Sequence, residues 1–258
     1  MSLSVLQNKK NIILKNIPFP YLIVDNALPN DIYDELDNSF PEYDKIIKLD
    51  RSNKGYQENT AYRYSAYQSL IDSHIPKIWK DFIFYHTSAD FCHEVFEIFS
   101  DGINKIYKTT RDKLPKEENI GIRFKDKKNF STDCQFVINT PTSGDTTVIE
   151  PHLDNAKEFY AGLLYMKGKE DLSKGGNLTT HSFIGKPSFY GNSRVRESNS
   201  KLIEEIEYKA NRFVLFLNSP LSIHGVTKRE KTETYRKYMN IIGEFNHKLF
   251  DYRPFLEK

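Results

Sequence analysis

The segment Pro151-His152-Leu153-Asp154 places an imidazole and a carboxylate two positions apart. On an extended strand such neighbours share a face, so both side chains can aim at one metal ion. A third donor is available far downstream, in Ser222-Ile223-His224-Gly225-Val226. Two imidazoles and one carboxylate on one face of an octahedron suit non-haem Fe(II) and leave three positions open to small molecules. An isolated His-x-Asp pair occurs often by chance. The competing reading is three polar side chains on unrelated strand surfaces, and the surrounding sequence has to decide between the two.

Whatever positions these donors must fit within 258 residues, enough for one domain or one domain with an appended lobe. Hydrophobic residues make up 38% and charged residues 28%, the balance of a folded globular chain rather than a disordered one. A formal net charge of +2 gives no electrostatic footprint for nucleic acid. Cys92 and Cys134 fit no zinc or redox motif by their separation and read as free buried thiols. The amino-terminal segment lacks the apolar run of a signal peptide, and no stretch reaches the length of a membrane span. The expectation is a cytoplasmic protein without a membrane or nucleic-acid partner.

The first half of the chain carries mainly helical patterns. Pro18 to Val24 reads as an extended entry segment, and Asn30 as the cap of a helix through Ile32, Tyr33, Leu36 and Phe40, ended by Pro41. The tyrosine-rich stretch from Tyr43 to Tyr67 reads as loop with short strand pieces. Leu70 to Leu114 reads as helices. The first opens at Pro76, the second is capped by Ser88, and a third holds Ile103, Ile106 and Tyr107. His86 and His93 have no carboxylate or cysteine at ligand spacing and read as ordinary core or helix-face residues.

Beyond Pro115, short runs of β-branched and aromatic residues alternate with Gly, Asn, Asp and Pro clusters, the pattern of an antiparallel β unit. The expected strands are 134–139, 146–154, 158–166, 176–183, 212–218, 222–227 and 235–245. Their spacing, without βαβ alternation, predicts a jelly roll or barrel. Lys186 to Lys201, with Gly185, Pro187, Gly191 and Asn192, reads as an inserted loop, either solvated or closing over a cleft with Arg194 and Arg196.

In this setting the carboxy-terminal half, roughly Cys134 to Phe245, resembles the Fe(II)- and 2-oxoglutarate-dependent dioxygenases of the prolyl-4-hydroxylase-like branch. The resemblance rests on ordered features: His152-Leu153-Asp154; the strand Leu163-Leu164-Tyr165-Met166; the turn Gly175-Gly176-Asn177-Leu178; Asn211-Arg212-Phe213-Val214-Leu215-Phe216; and His224-Gly225-Val226 followed by Arg236. The opening PFPYLIVDNALPNDIYDEL is a weaker match to the same branch. No one of these is specific; their order and separations are.

The resemblance implies a mainly β, α+β protein. Its core would be a double-stranded β-helix spanning 121–258, with residues 1–120 as a helical support packed on it in one compact unit. It implies an enzyme that hydroxylates a peptidyl or small-molecule substrate while 2-oxoglutarate is decarboxylated to succinate, with Fe(II), O2 and ascorbate as reductant. His152, Asp154 and His224 would bind the metal. The family's halogenases lack the carboxylate that Asp154 supplies here.

Arg236, on the strand after the distal histidine, would grip the far carboxylate of 2-oxoglutarate, a task suited to bidentate guanidinium. Arg229 and Lys237 are its rivals. Strand alternation puts Arg236, Tyr238, Asn240 and Ile242 on one face, making Asn240 a further contact, while Tyr165, Leu178 and Thr180 would complete the pocket. For Tyr165 a core position is the alternative. His181 reads as an outer-face residue rather than a fourth ligand, Gly175 and Gly176 as a tight turn, and Tyr62, Tyr64 and Tyr67 as packing or cleft-mouth residues. The other classes left open are a cupin-type metal-dependent isomerase, whose clustered histidines and glutamate are not seen, and a non-enzymatic jelly-roll binding protein.

Overall fold

The computed structural model describes residues 3–52, 54–110, 113–144, 146, 147, 149–191 and 193–256. Asn192 of the insert and Val148 of the expected 146–154 strand lie outside these. The amino-terminal region contributes β1 (Ile12–Lys15), β2 (Tyr21–Asp25) and β3 (Ala61–Tyr64). Its helices are α1 (Asn30–Asn38), α2 (Tyr43–Leu49), α3 (Ala66–Ile71), α4 (Lys77–His86), α5 (Ala89–Ile98) and α6 (Ser100–Tyr107). There follow β4 (Ile120–Ile122), β5 (Phe130–Asn139), β6 (Glu158–Tyr165), β7 (Leu178–Phe183), β8 (Ser200–Ile206), β9 (Arg212–Leu217), β10 (His224–Val226) and β11 (Arg236–Phe245). Among the described residues no helix is long and apolar enough to cross a membrane.

The strands form two sheets. The larger has eight strands in the order β1-β2-β9-β6-β11-β5-β3, with β4 parallel to the start of β5 and all other pairs antiparallel. The smaller has three, β10-β7-β8. Side-chain alternation divides the faces of the large sheet. Cys134, Phe136 and Ile138 of β5, with Met239 and Ile241 of β11, pack into the main core beneath the helices. Val137 and Tyr238 point the other way, into a second cluster shared with Leu178 and Ile206 of the small sheet. The helix-side core is aromatic at its centre. Trp79 of α4 packs edge-on to Phe136, ring centroids 4.6 Å apart, and its indole N–H donates to Ser39 O at 3.0 Å.

Several local expectations need correction. Asn30 is the first residue of α1 rather than its cap; Pro29 holds that position. Residues 43–67 contain α2 and the start of α3, the latter opened by a capping box between Ser65 and Gln68 that no hydrophobic period announces. The expected 146–154 strand is absent as a continuous element among the described residues, surviving only as isolated bridges at Thr146 and His152. β8 falls outside the expected strands. It is the edge of the small sheet and leaves Leu202 and Ile203 exposed, so its sequence lacks the inside-outside alternation of a half-buried strand.

Both cysteines are buried and free. His86 lies in the core, its Nδ1 at 2.8 Å from Phe82 O and its Nε2 accepting from Val5 N–H.

Candidate metal centre and adjoining cavity

His152 and His224 face each other across a closed pair of backbone hydrogen bonds, His152 N–H to His224 O at 2.8 Å and His224 N–H to His152 O at 3.1 Å. Their rings lie 4.5 Å apart. Each ring carries its Nδ1 against a carbonyl, Glu150 O at 2.8 Å for His152 and Ser222 O at 2.9 Å for His224. A carbonyl only accepts, so Nδ1 bears the proton and Nε2 keeps its lone pair. Both Nε2 atoms turn towards Asp154, at 3.6 Å from Oδ1 and 3.5 Å from Oδ2. One ligand atom from each of the three residues lies within 4.8 Å of the others, a set that could hold a metal ion. Burial works against the Asp154 carboxylate, but His224 and His152 outweigh it and hold its pKa below the usual range. The same pairing raises His224 despite its burial.

The ligand strip is supported from behind by the insert. Leu153 N–H donates to Ser193 O at 2.9 Å and Val195 N–H to Pro151 O at 2.7 Å, so residues 193–195 run as an added strip beside 151–153. Phe189, Val195, Leu153 and Ile223 form a small apolar cluster there. No described residue of the insert lines the cavity beside the triad.

The cavity has a volume of about 550 Å3. Its wall includes His152, Asp154 and His224, Leu178 from β7, and Arg236, Tyr238 and Asn240 from the inner face of β11. Arg236 is 3% exposed. Its Nε donates to Gly176 O at 2.8 Å and its Nη1 to Asn139 Oδ1 at 3.1 Å. Its guanidinium carbon lies 4.7 Å, 4.8 Å and 5.1 Å from the ring centroids of Tyr238, Tyr208 and Tyr165. Among the described residues no carboxylate pairs with it.

The segment that receives Arg236 requires glycine. Gly175 and Gly176 have φ of +76° and +74°, and a Cβ on Gly175 would sit 1.8 Å from Lys228 O. The glycine pair expected as a tight turn lies instead in irregular chain leading into β7, and Gly176 O is the seat of the guanidinium.

The rivals of Arg236 are engaged elsewhere. Arg229 is buried with Nη1 on Thr140 O and Nη2 on Thr234 O, at 2.7 and 2.8 Å, bracing two loops. Lys237 faces the helices and pairs with Asp37 at 2.6 Å. Tyr165 and Thr180 are buried on the inner side with hydroxyls that find no partner, but neither belongs to the cavity wall. Burial pushes the Tyr165 phenol up to about 12 even with Arg236 beside it. His181 points away from the cavity face, its Nε2 2.9 Å from Thr179 Oγ1, and is not part of the ligand group. Tyr62 and Tyr64 are core residues.

Residues that the sequence reading passed over also meet here. Asn139 reaches Arg236 because β5 pairs with β11 in that register. Tyr208 lies in the link between β8 and β9 and accepts from Lys237 N–H at 3.0 Å. Arg63, Arg123, Gln135 and Glu158 complete the wall. None belongs to a motif; strand pairing and the placement of links, both invisible in a single sequence, assemble them.

No protein-family model matches the chain, and no curated protein matches it in sequence. Solved structures do match. A prolyl hydroxylase from Trichoplax adhaerens, in complex with a hypoxia inducible factor oxygen degradation domain peptide fragment, aligns over 94% of this chain and 88% of its own, with 11% identity and a TM-score of 0.50. A 2OG-Fe(II) oxygenase family protein from Caulobacter crescentus aligns over 88% and 78%, at 12% identity and a TM-score of 0.47. A prolyl 4-hydroxylase from Phytophthora capsici aligns over 88% of this chain at 14% identity and a TM-score of 0.45, and this chain spans 59% of its length. At these identities the likeness is one of architecture: the chain has the fold of the Trichoplax prolyl hydroxylase.

Proposed function

We propose that the chain is an Fe(II)- and 2-oxoglutarate-dependent oxygenase of the prolyl-4-hydroxylase-like branch. Its two sheets act as the halves of a double-stranded β-helix, and its outcome is hydroxylation of a peptidyl or small-molecule substrate. Residues 121–258 form the catalytic core and residues 1–120 its support. The support also lends β1, β2 and β3 to the large sheet.

The observation that carries this reading is Arg236. A guanidinium 3% exposed, caged by tyrosines and lacking an anionic partner, is costly unless an anion arrives to meet it. It shares a cavity with a His-Asp-His group whose free donor atoms converge. A cupin isomerase or a lectin has use for the metal group but none for the guanidinium.

His152, Asp154 and His224 would hold Fe(II), with Glu150 O and Ser222 O fixing the tautomer of each ring. When bound, the iron and 2-oxoglutarate supply with O2 the oxidising power for C–H hydroxylation, yielding succinate and carbon dioxide. Arg236 grips the far carboxylate of the co-substrate, and Asn139, whose Nδ2 is buried without a partner, offers a further donor beside it. Asn240 and Leu178 line the same cavity. The Phe216 ring, 4.5 Å from that of His224, shields one side of the ligand from water.

An anaerobic titration with Fe(II) and 2-oxoglutarate tests the proposal through the visible charge-transfer band of the chelate. The band should require both additions. Absence of 2-oxoglutarate binding with Fe(II) present would overturn the reading.

A further inference from the structure

The cavity has a second end. Arg236 lies opposite Asn139 at one end of the β5–β11 pair; Arg123, whose N–H donates to Thr132 O, bonds Glu244 at 3.0 Å near the other. Arg63, Arg123, Lys54 and Gln135 line both the main cavity and a contiguous outer one of about 200 Å3, so a single groove leads outward past them. Arg51 extends the line, its guanidinium carbon 3.9 Å from the Phe124 ring centroid. These four cations face Asp50 and Glu158 on the same walls, with Glu244 spent on Arg123.

Arg63 is the uncommitted member. It stands between buried Tyr62 and Tyr64 on β3, so alternation turns it to the cavity face. Asp50, on the outer wall, is occupied with main chain: it accepts from Arg63 N–H at 2.7 Å and from Ser52 N–H at 2.9 Å. No carboxylate pairs with the Arg63 side chain among the described residues. Lys54, by contrast, donates to Ala61 O and lies 4.5 Å over Tyr62.

A second observation is independent of charge. Gln135 is 5% exposed, and its Nε2 donates to Asp133 Oδ2 at 2.7 Å, which fixes the amide orientation. Its Oε1 is left buried without a partner in the wall of the same groove. A buried acceptor of this kind calls for a donor.

We infer that the primary substrate is an anion whose carboxylate or phosphate is held by Arg63, on the β3 side of the cavity where it opens into the outer groove, with an N–H or O–H of the same molecule meeting Gln135 Oε1. This rests on the oxygenase reading, which assigns Arg236 to the co-substrate and leaves Arg63 for the substrate. Arg123 and Lys54 add field without being freed from their own partners.

The test uses the full chain loaded with Zn(II), which permits binding without turnover. Titration of 2-oxoglutarate comes first and examines the oxygenase reading alone. With that site saturated, O-phospho-L-serine, L-glutamate and neutral L-glutamine are titrated by calorimetry and ligand-detected NMR. At least one anion should bind more tightly than L-glutamine, and phosphoserine against glutamate distinguishes phosphate from carboxylate. Arg63→Ala should weaken that anion roughly tenfold to a hundredfold, the worth of a charge-assisted hydrogen bond. Arg63→Lys should recover part of the loss, and Arg63→Glu should abolish the preference. Equal binding of all three probes, or an Arg63→Ala protein that binds the anion as the parent does, would overturn the inference. If 2-oxoglutarate fails to bind while the Arg63-dependent anion preference persists, the oxygenase reading falls and the anion site stands.

Discussion

Arg236→Ala separates metal binding from co-substrate binding. The guanidinium is buried, donates through Nε and Nη1 to neutral acceptors at 2.8 and 3.1 Å, and has no carboxylate partner among the described residues. In the proposed complex it meets the far carboxylate of 2-oxoglutarate inside the cavity. Removing one member of a buried charge pair costs roughly 3–5 kcal/mol. At about 1.4 kcal/mol per decade, co-substrate affinity should fall by roughly two to nearly four orders of magnitude. Metal affinity should hardly change, because the guanidinium lies beside Gly176 and the tyrosine cage rather than among the ligand atoms.

Arg236→Lys should restore part of the affinity through charge without the fork geometry. Stability of the ligand-free protein should change far less than co-substrate affinity, since the variant also removes a buried charge that had no counter-ion. Calorimetry of 2-oxoglutarate into Zn(II)-loaded protein, metal competition with a chelating dye and urea midpoints together read the three quantities. A variant that binds 2-oxoglutarate like the parent would refute the assignment of Arg236.

Other consequences are open to measurement. His152→Ala or His224→Ala removes one of three protein donors and should sharply weaken Fe(II) affinity in a competition assay; parent-like iron retention in both would displace the site. Phe189→Ala empties a fully buried position behind the ligand strip and should cost about 3–5 kcal/mol in urea unfolding while weakening metal binding, because the strip carrying His152 loses its backing. A stable Phe189→Ala protein with unchanged metal affinity would show that the insert is dispensable to the site. Burial holds the His86 pKa down to about 3 from 6.5, so the unfolded chain binds the proton first as pH falls. Stability should therefore drop below about pH 6.5 by up to about 1.4 kcal/mol per pH unit from this group. A His86→Gln protein should show a shallower dependence of its urea midpoint on pH, and an identical slope would remove His86 as the cause.

How much was readable in advance divides by the range of the interaction. The β11, β9 and β6 segments announce themselves because each alternates or runs apolar under its own local rule, and their observed bounds lie close to those expected. The His152-Leu153-Asp154 pair and His224 are local signals too, and the structure brings their donor atoms together. Among the described residues the expected continuous 146–154 strand is replaced by isolated bridges, Thr146 to Arg229, His152 to His224 and His152 to Arg194. The insert reads as a polar inserted loop, yet its apolar residues Phe189 and Val195 find partners only through contacts distant in sequence. Asn139, Tyr208, Gln135 and Arg63 belong to the site through strand register and linker placement, which no single segment encodes.

The two faces of β11 answer to different demands. Arg236, Tyr238 and Asn240 belong to the cavity, while Met239 and Ile241 between them hold the helix-side core. Substitutions at the even-numbered positions can therefore alter what the cavity accepts while the helices remain anchored, a separation that lets selection reshape chemistry and preserve folding in the same ten residues. The arrangement has a matching weakness. Gain or loss of a single residue within β11 would exchange the two faces beyond that point, putting charge against Trp79 and Phe136 and apolar side chains against the triad. Lineages descended from this chain should accept replacements at cavity-facing positions such as Asn240 and Ile242 more readily than at Met239 or Ile241, and length changes in β11 almost never.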